Sequence, residues 1–411
     1  MAASGPASAP ASGTASRLDE AGETTLRGTL PPKSERVKRA IRKGIPPALR
    51  PRAWFYYSGA EAEWADNPGL YLLLLCQHGN EVLRYIGILE RDLERTFPDN
   101  VWFSMPADRE TQAEDDPAAN APFIQSLRRI LVAFAYYSWP LPDTSRDLPR
   151  HCTYRIGYCQ SLNFIVGALL LVMTHGRRRE FMKGINGLRT HIEEQVFWIL
   201  VVIVEKLLPT EMYGTALEGA IIEQEVLWKY VFGERANNGL NSKRMSQLNA
   251  ASFMPRDRMP PLSMVTTQWF MTLFVTALPT ETWLRVWDAF LYQGEKVLMR
   301  VALTLVKLHE DTIVRMTDPM TGWKFLKGLP HTMWDTHGFL KACFQPRVAP
   351  FGSETAVRAP LQDSQDDDHE DSAATSHLGL GQASQRTGVG SVSRRMLEHY
   401  RERARADRMK S

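Results

Sequence analysis

The chain has 411 residues, 44% of them hydrophobic, with 49 Lys+Arg balanced by 46 Asp+Glu. That apolar share supports a large core and excludes wholesale disorder. The formal net charge of +3 lacks the basic excess of a nucleic-acid binder. Four cysteines without a CxxC pair do not make a disulfide framework and fit a reduced, cytoplasmic protein.

In chain order, residues 1–32 are rich in Ala, Ser, Gly, Pro and Thr, without a period or an apolar leader run, and read as a disordered tail. From Lys33 to Pro346 the chain carries helical punctuation. The segment at Gly44-Ile45-Pro46 breaks a basic stretch and opens a helix that carries Arg50 and Trp54 at i,i+4, spacing suited to a stacked pair. Leu89, Asp92 and Arg95 share one helical face, and Pro98 ends that helix close to Arg95.

Two stretches, Ser104–Pro122 and Pro140–Tyr154, interrupt the pattern and read as surface insertions. A third, His175–Thr190, has room for a helical turn. Gly157, Tyr158, Cys159, Gln160 and Ser161 lead into the apolar run Phe164–Met173. Glu193–Leu208 is apolar on nearly every face, the mark of a helix buried all round. The longest apolar runs, Phe164–Met173 and Val196–Val204, are each about half of the roughly 20 residues a membrane span needs. Thr280 to Gly294 and Lys296 to Glu310 show apolar positions near 3.6-residue spacing. Period-2 alternation is almost missing, so the fold class is all-α.

Residues 347–411 read as a second disordered tail. It holds an acidic patch (Asp363, Asp366, Asp367, Asp368, Glu370, Asp371) and ends in a short basic helix over Ser393–Lys410, with seven basic and three acidic residues. The default reading of this end is a solvated tail. The alternative is a basic helix in peripheral contact with an anionic membrane or a partner.

Self-contained catalytic motifs are missing. There is no G-x-x-x-x-G-K-[ST], no G-x-S-x-G, no H-E-x-x-H and no cysteine cluster, so neither a nucleotide nor a metal site of its own is expected. An arginine at a helix end suits phosphate oxygens through its planar fork, with Asp92 one turn back to hold it, although such a pair is often only structural. Gln160 reads equally as a cap, Tyr158 as a packing residue, and Arg50 with Trp54 as a helix-to-core fixture.

Together the motifs GIPxxLRxxxW, LxxDxxRTFP, GYxQ, TQWFxxLF (Thr267–Phe274) and LRVWDxF (Leu284–Phe290) resemble the TBC domain of Rab GTPase-activating proteins. The resemblance covers about residues 33–346 and is strongest to the short, single-domain, growth-hormone-regulated type. It implies a multi-helix array in two helical subdomains that stimulates GTP hydrolysis on a GTP-bound Rab partner in vesicle trafficking. It also implies two fingers inserted in trans, Arg95 and Gln160, with Asp92 orienting Arg95 and Tyr158 touching the partner's switch region. Arg50 and Trp54 are scaffold in that scheme. GTP and Mg²⁺ arrive on the partner, and the chain works in the cytoplasm or at cytosolic membrane faces. Ser161-Leu162 stand where the family most often has Gly-Met, and Leu89 replaces the usual isoleucine. A catalytically silent Rab effector or scaffold is the alternative; such proteins typically lack one of the fingers, and both are present here.

Overall fold

A computed structural model of the chain describes residues 30–76, 80–103, 122–139, 156–232, 262–316, 318–344 and 392–409. The two insertions apart from Pro122, the acidic patch and residues 1–29 lie outside these. Among the described residues every regular element is a helix. None of these helices is long and apolar enough to cross a membrane, and among the described residues no group of three His, Cys, Asp or Glu side chains is placed to hold a metal.

The first group of helices is α1 (Glu35–Arg42), α2 (Arg50–Ser58), α3 (Ala60–Asp66), α4 (Leu70–Leu75), α5 (Asn80–Glu94), α6 (Pro122–Ser138), α7 (Leu162–Met173), α8 (Arg178–Lys183) and α9 (Leu188–Val202). Helix α9 is its axis: α2, α3, α6, α7 and α8 pack on it. Residues 196–204 are all at most 1% exposed, as their unbroken apolarity requires, and the helix continues as a wider turn over Ile203–Leu207. At its start the fully buried Glu193 is met by the Tyr71 hydroxyl, the Ser126 hydroxyl and Arg129. Burying a carboxylate without such partners would be costly.

The second group is α10 (Glu218–Phe232), α11 (Leu262–Met271), α12 (Thr280–Gln293), α13 (Lys296–Leu308), α14 (Glu310–Arg315), α15 (Pro319–Gly328), α16 (Thr336–Phe344) and α17 (Arg394–Arg408). Helix α12 begins after Pro279 and stops at Gly294, with φ +85°. It packs on α1 and α2, and so joins the two groups. The TQWF stretch leaves α11 through Leu273 and Phe274, both in the left-handed region, and the turn is secured where Trp287 Nε1 donates to the Leu273 carbonyl at 2.9 Å.

Arg50 and Trp54 do not stack on each other as their spacing suggests. Both reach across to Asp288 of α12: Arg50 Nε lies 3.2 Å from Oδ1, Trp54 Nε1 donates to Oδ1 at 2.8 Å, and the Ile45 N–H donates to Oδ2 at 2.9 Å. Arg50 also pairs with Glu281 at 3.0 Å. Burial opposes the Arg50 charge, but Asp288 and Glu281 outweigh it and hold the guanidinium above its ordinary value. Gly44 serves this junction with φ +108°; a Cβ there would lie 2.5 Å from Arg285 Nε.

The C-terminal end departs from the solvated-tail expectation. Helix α17 forms where the sequence places it, capped by the Ser393 hydroxyl on the Met396 N–H, but it packs along α10. Leu397 and Ala404 are fully buried. The buried Arg401 reaches Glu223 and Glu295. The docked side consists of apolar residues plus one arginine matched to two carboxylates, a combination that pays for ordering the segment.

Candidate functional site

Helix α5 ends at Glu94 and α7 begins at Leu162, and the site is where these two ends meet. Asp92, two residues before the end of α5, points inward and is 4% exposed. Its Oδ2 accepts from the Tyr158 hydroxyl at 2.7 Å, and Oδ1 faces Gln160 Nε2 at 3.4 Å. Arg95 and Gln160 are both exposed. The Asp92 carboxylate is therefore occupied by the Tyr158–Gln160 segment rather than by Arg95.

This corrects one expectation. The i,i+3 spacing suggests an Asp92–Arg95 ion pair, but the guanidinium meets no carboxylate among the described residues; the two are linked by backbone, Arg95 N–H to Asp92 C=O at 3.2 Å. Tyr158 is buried at 6% exposure, with its hydroxyl turned to Asp92. Burial, then the bond to Asp92, push the phenol well above its usual range, leaving it a neutral donor.

Sequence reading missed the residues that clamp the two helix ends. Asn163, 1% exposed, donates through Nδ2 to the Asp92 carbonyl at 3.3 Å and to Thr96 Oγ1 at 2.8 Å, while its Oδ1 accepts from the Ser161 N–H at 3.1 Å. Thr96 Oγ1 in turn donates to the Asp92 carbonyl at 2.7 Å. The Phe97 ring then lies against α7 over Gly167, where a Cβ would come within 2.9 Å of it. The available signal was an amide at the head of a run otherwise almost wholly apolar: Asn163 has no reason to be buried there unless something needs its bonds.

The strand-like approach to α7 is fixed from α6. Ser138 Oγ accepts from the Gly157 N–H at 3.1 Å, and the Ser138 carbonyl accepts from the Ile156 N–H at 3.2 Å. Gly157 has φ +64°, and a Cβ there would lie 2.6 Å from the Tyr85 ring, so both conformation and space demand glycine. Ser161 then turns into α7 at φ +98° with no side-chain cap bond, a conformation that disfavours any side chain. Between them, burial and the Asp92 charge push the Cys159 thiol up to about 12.

The result is a cationic fork and a carboxamide displayed on a rigid, buried hydrogen-bond network. The chemistry available to these two groups is donation of hydrogen bonds and positive charge to an anion.

The Rab-GTPase-TBC domain model matches residues 47–314. The GTPase-activating protein GYP3 of Saccharomyces cerevisiae is 33% identical over 70% of this chain and 43% of its own length. MSB4 of the same yeast, also a GTPase-activating protein, is 34% identical over 68% of this chain and 51% of its own. The chain thus spans about half the length of these curated relatives. Human growth hormone-regulated TBC protein 1 is 33% identical over 71% of this chain and 69% of its own. A crystal structure of the Chlamydomonas flagellar RabGAP TBC domain superposes with TM-score 0.52 and 25% identity, covering 77% of this chain and 86% of that one. The Ypt/Rab-GAP domain of Gyp1p superposes with TM-score 0.54 at 16% identity, a likeness of fold.

Proposed function

We propose that this chain, which belongs to the Rab-GTPase-TBC domain family, accelerates GTP hydrolysis on a Rab-family GTPase with Arg95 and Gln160 as fingers supplied in trans. The observation that carries the reading is the shared anchor: Gln160 contacts the buried Asp92 carboxylate, and Arg95 follows that residue by one backbone turn. Two exposed groups of the required chemistry are thereby held to one rigid point.

In phosphoryl transfer, charge accumulates on the γ-phosphoryl oxygens and the leaving oxygen, and there is little covalent chemistry for a protein to perform. A guanidinium delivered to those oxygens stabilises the transition state more than the ground state, which is the condition for a rate effect. For Ras and its activating protein such a finger contributes on the order of 10³–10⁵ in rate, about 4–7 kcal/mol. Gln160 would orient the attacking water. GTP and Mg²⁺ belong to the partner in this scheme, and the chain contributes neither. The setting is membrane trafficking at cytosolic membrane faces, where Rab substrates reside.

The test is single-turnover GTP hydrolysis by a panel of Rab proteins with the wild-type chain, Arg95→Ala and Gln160→Ala. Stimulation of one or a few Rabs, lost in both variants, supports the reading and identifies the substrate. Nucleotide-dependent Rab binding with no stimulation would make the chain an effector instead.

A further inference from the structure

In the sequence, the alternative to a solvated tail is a C-terminal basic helix in contact with an anionic membrane or a partner. The structure commits the apolar side of that helix to α10, with Leu397 and Ala404 fully buried, and pairs Arg394, Arg401 and Arg408 with Glu398, Glu223 and Glu225 respectively. A second exposed cationic face lies on α1, and there the cations have no carboxylate partner among the described residues.

Residues 33–43 contain six basic side chains and one acidic one. Glu35 is spent on Lys38 at 3.1 Å. Val37, Lys38 and Ile41 face inward, whereas Arg36, Arg39 and Lys43 are exposed. At 100° per residue the last three fall within about 60° of one another, along a stripe about 10 Å long. No carboxylate among the described residues pairs with any of them. Lys341 of α16 is also exposed; one turn further on in α16, Phe344 carries Arg42 of α1 over its ring at 4.5 Å, which places the two helices at one corner.

We propose that this face of α1 is a docking surface for an anionic lipid bilayer. Its apolar residues are used in the core, so contact is electrostatic and superficial, without insertion. A cationic stripe of this kind is complementary to the anionic headgroups of a cytosolic leaflet, and each Lys or Arg near such a surface adds to binding. The attraction decays within a Debye length, about 8 Å at physiological salt, so the face must sit flat on the surface. Docking through α1 would concentrate the chain where membrane-bound GTPases are found. The surface does not depend on the finger assignment.

The experiment is sedimentation of the full chain with phosphatidylcholine vesicles made with or without phosphatidylserine. Binding is expected only with phosphatidylserine and is expected to weaken as salt rises. The triple variant Arg36→Gln, Arg39→Gln, Lys43→Gln should reduce the partition coefficient on the order of a hundredfold, with unchanged thermal stability. Arg36→Lys with Arg39→Lys should retain binding, which separates charge from shape. Equal binding by the triple variant, or no binding by the intact chain, would overturn the proposal. So would binding lost in Arg395→Gln with Arg403→Gln, which would return the role to α17. Binding gained only after Asp366, Asp367 and Asp368 are changed to Asn would reassign the α1 face to the chain's own acidic segment.

Discussion

Asn163 Nδ2 lies 2.8 Å from Thr96 Oγ1 and 3.3 Å from the Asp92 carbonyl, so one buried amide at the start of α7 holds the backbone on both sides of Arg95. Asn163→Ala would leave the Ser161 N–H without its acceptor and Thr96 Oγ1 without its donor, at a cost of about 1–3 kcal/mol in urea unfolding. If the amide also positions the finger, kcat for stimulated GTP hydrolysis should fall about a hundredfold with KM little changed, since a displacement of roughly 1 Å is enough for that loss. A variant that loses stability but keeps full kcat would make Asn163 a helix staple only.

Two arginines separate scaffold from finger. Arg95 is exposed, and Arg95→Ala should change stability by no more than about 0.5 kcal/mol while lowering stimulated hydrolysis by a factor on the order of 10³ or more. Arg50 is buried against Asp288, and Asp288→Ala would leave its charge with only the exposed Glu281, at a cost of about 3 kcal/mol. Chemical denaturation and Rab hydrolysis measured side by side test both. Matched losses of stability and activity in Arg95→Ala would mark it as a structural residue.

What the sequence made legible follows from the range of each interaction. The bounds of α12 rest on Pro279 and Gly294, local signals that act within one turn, and the all-round burial of α9 rests on unbroken apolarity. The direction of Asp92 was hidden because i,i+3 spacing says only that two side chains share a face, not that the helix persists to Arg95; it ends at Glu94. The docking of α17 was equally hidden. Arg401 finds Glu223 and Glu295 at sequence separations of 178 and 106, and composition alone cannot distinguish such a helix from a solvated basic tail.

Arg401 offers a direct test of that docking. Arg401→Ala leaves Glu223 and Glu295 buried without their shared cation, which should cost about 3–5 kcal/mol or be relieved by release of α17. Hydrogen exchange over Arg394–Arg408 should then rise well above wild type. Unchanged protection would mean that Leu397 and Ala404 hold the helix without the arginine.

Cys159 sits beside Gln160 yet should be chemically silent. With the thiol pushed up to about 12, its thiolate fraction at pH 8 is about one in 10⁴, so alkylation in the native state should run roughly three orders of magnitude slower than for a free cysteine. The sign follows from burial favouring the neutral thiol: reactivity rises with pH and is recovered on unfolding. Peptide mapping after iodoacetamide treatment checks this, and rapid native labelling of the half-buried Cys159 would show that its thiol is not held neutral.

Ser161 carries a side chain at φ +98°, where glycine is preferred. Its hydroxyl makes no cap bond, whereas its N–H donates to Asn163 Oδ1, so the backbone conformation serves the clamp and the side chain adds only strain. Relief of a left-handed non-glycine residue is worth about 1–3 kcal/mol, offset by roughly 0.4–1 kcal/mol from the freer unfolded chain. Ser161→Gly should therefore stabilise the domain by about 1 kcal/mol in urea unfolding and leave stimulated hydrolysis unchanged or faster. A destabilised variant would show that the serine hydroxyl has a partner in solution, and that this turn is held by more than Asn163.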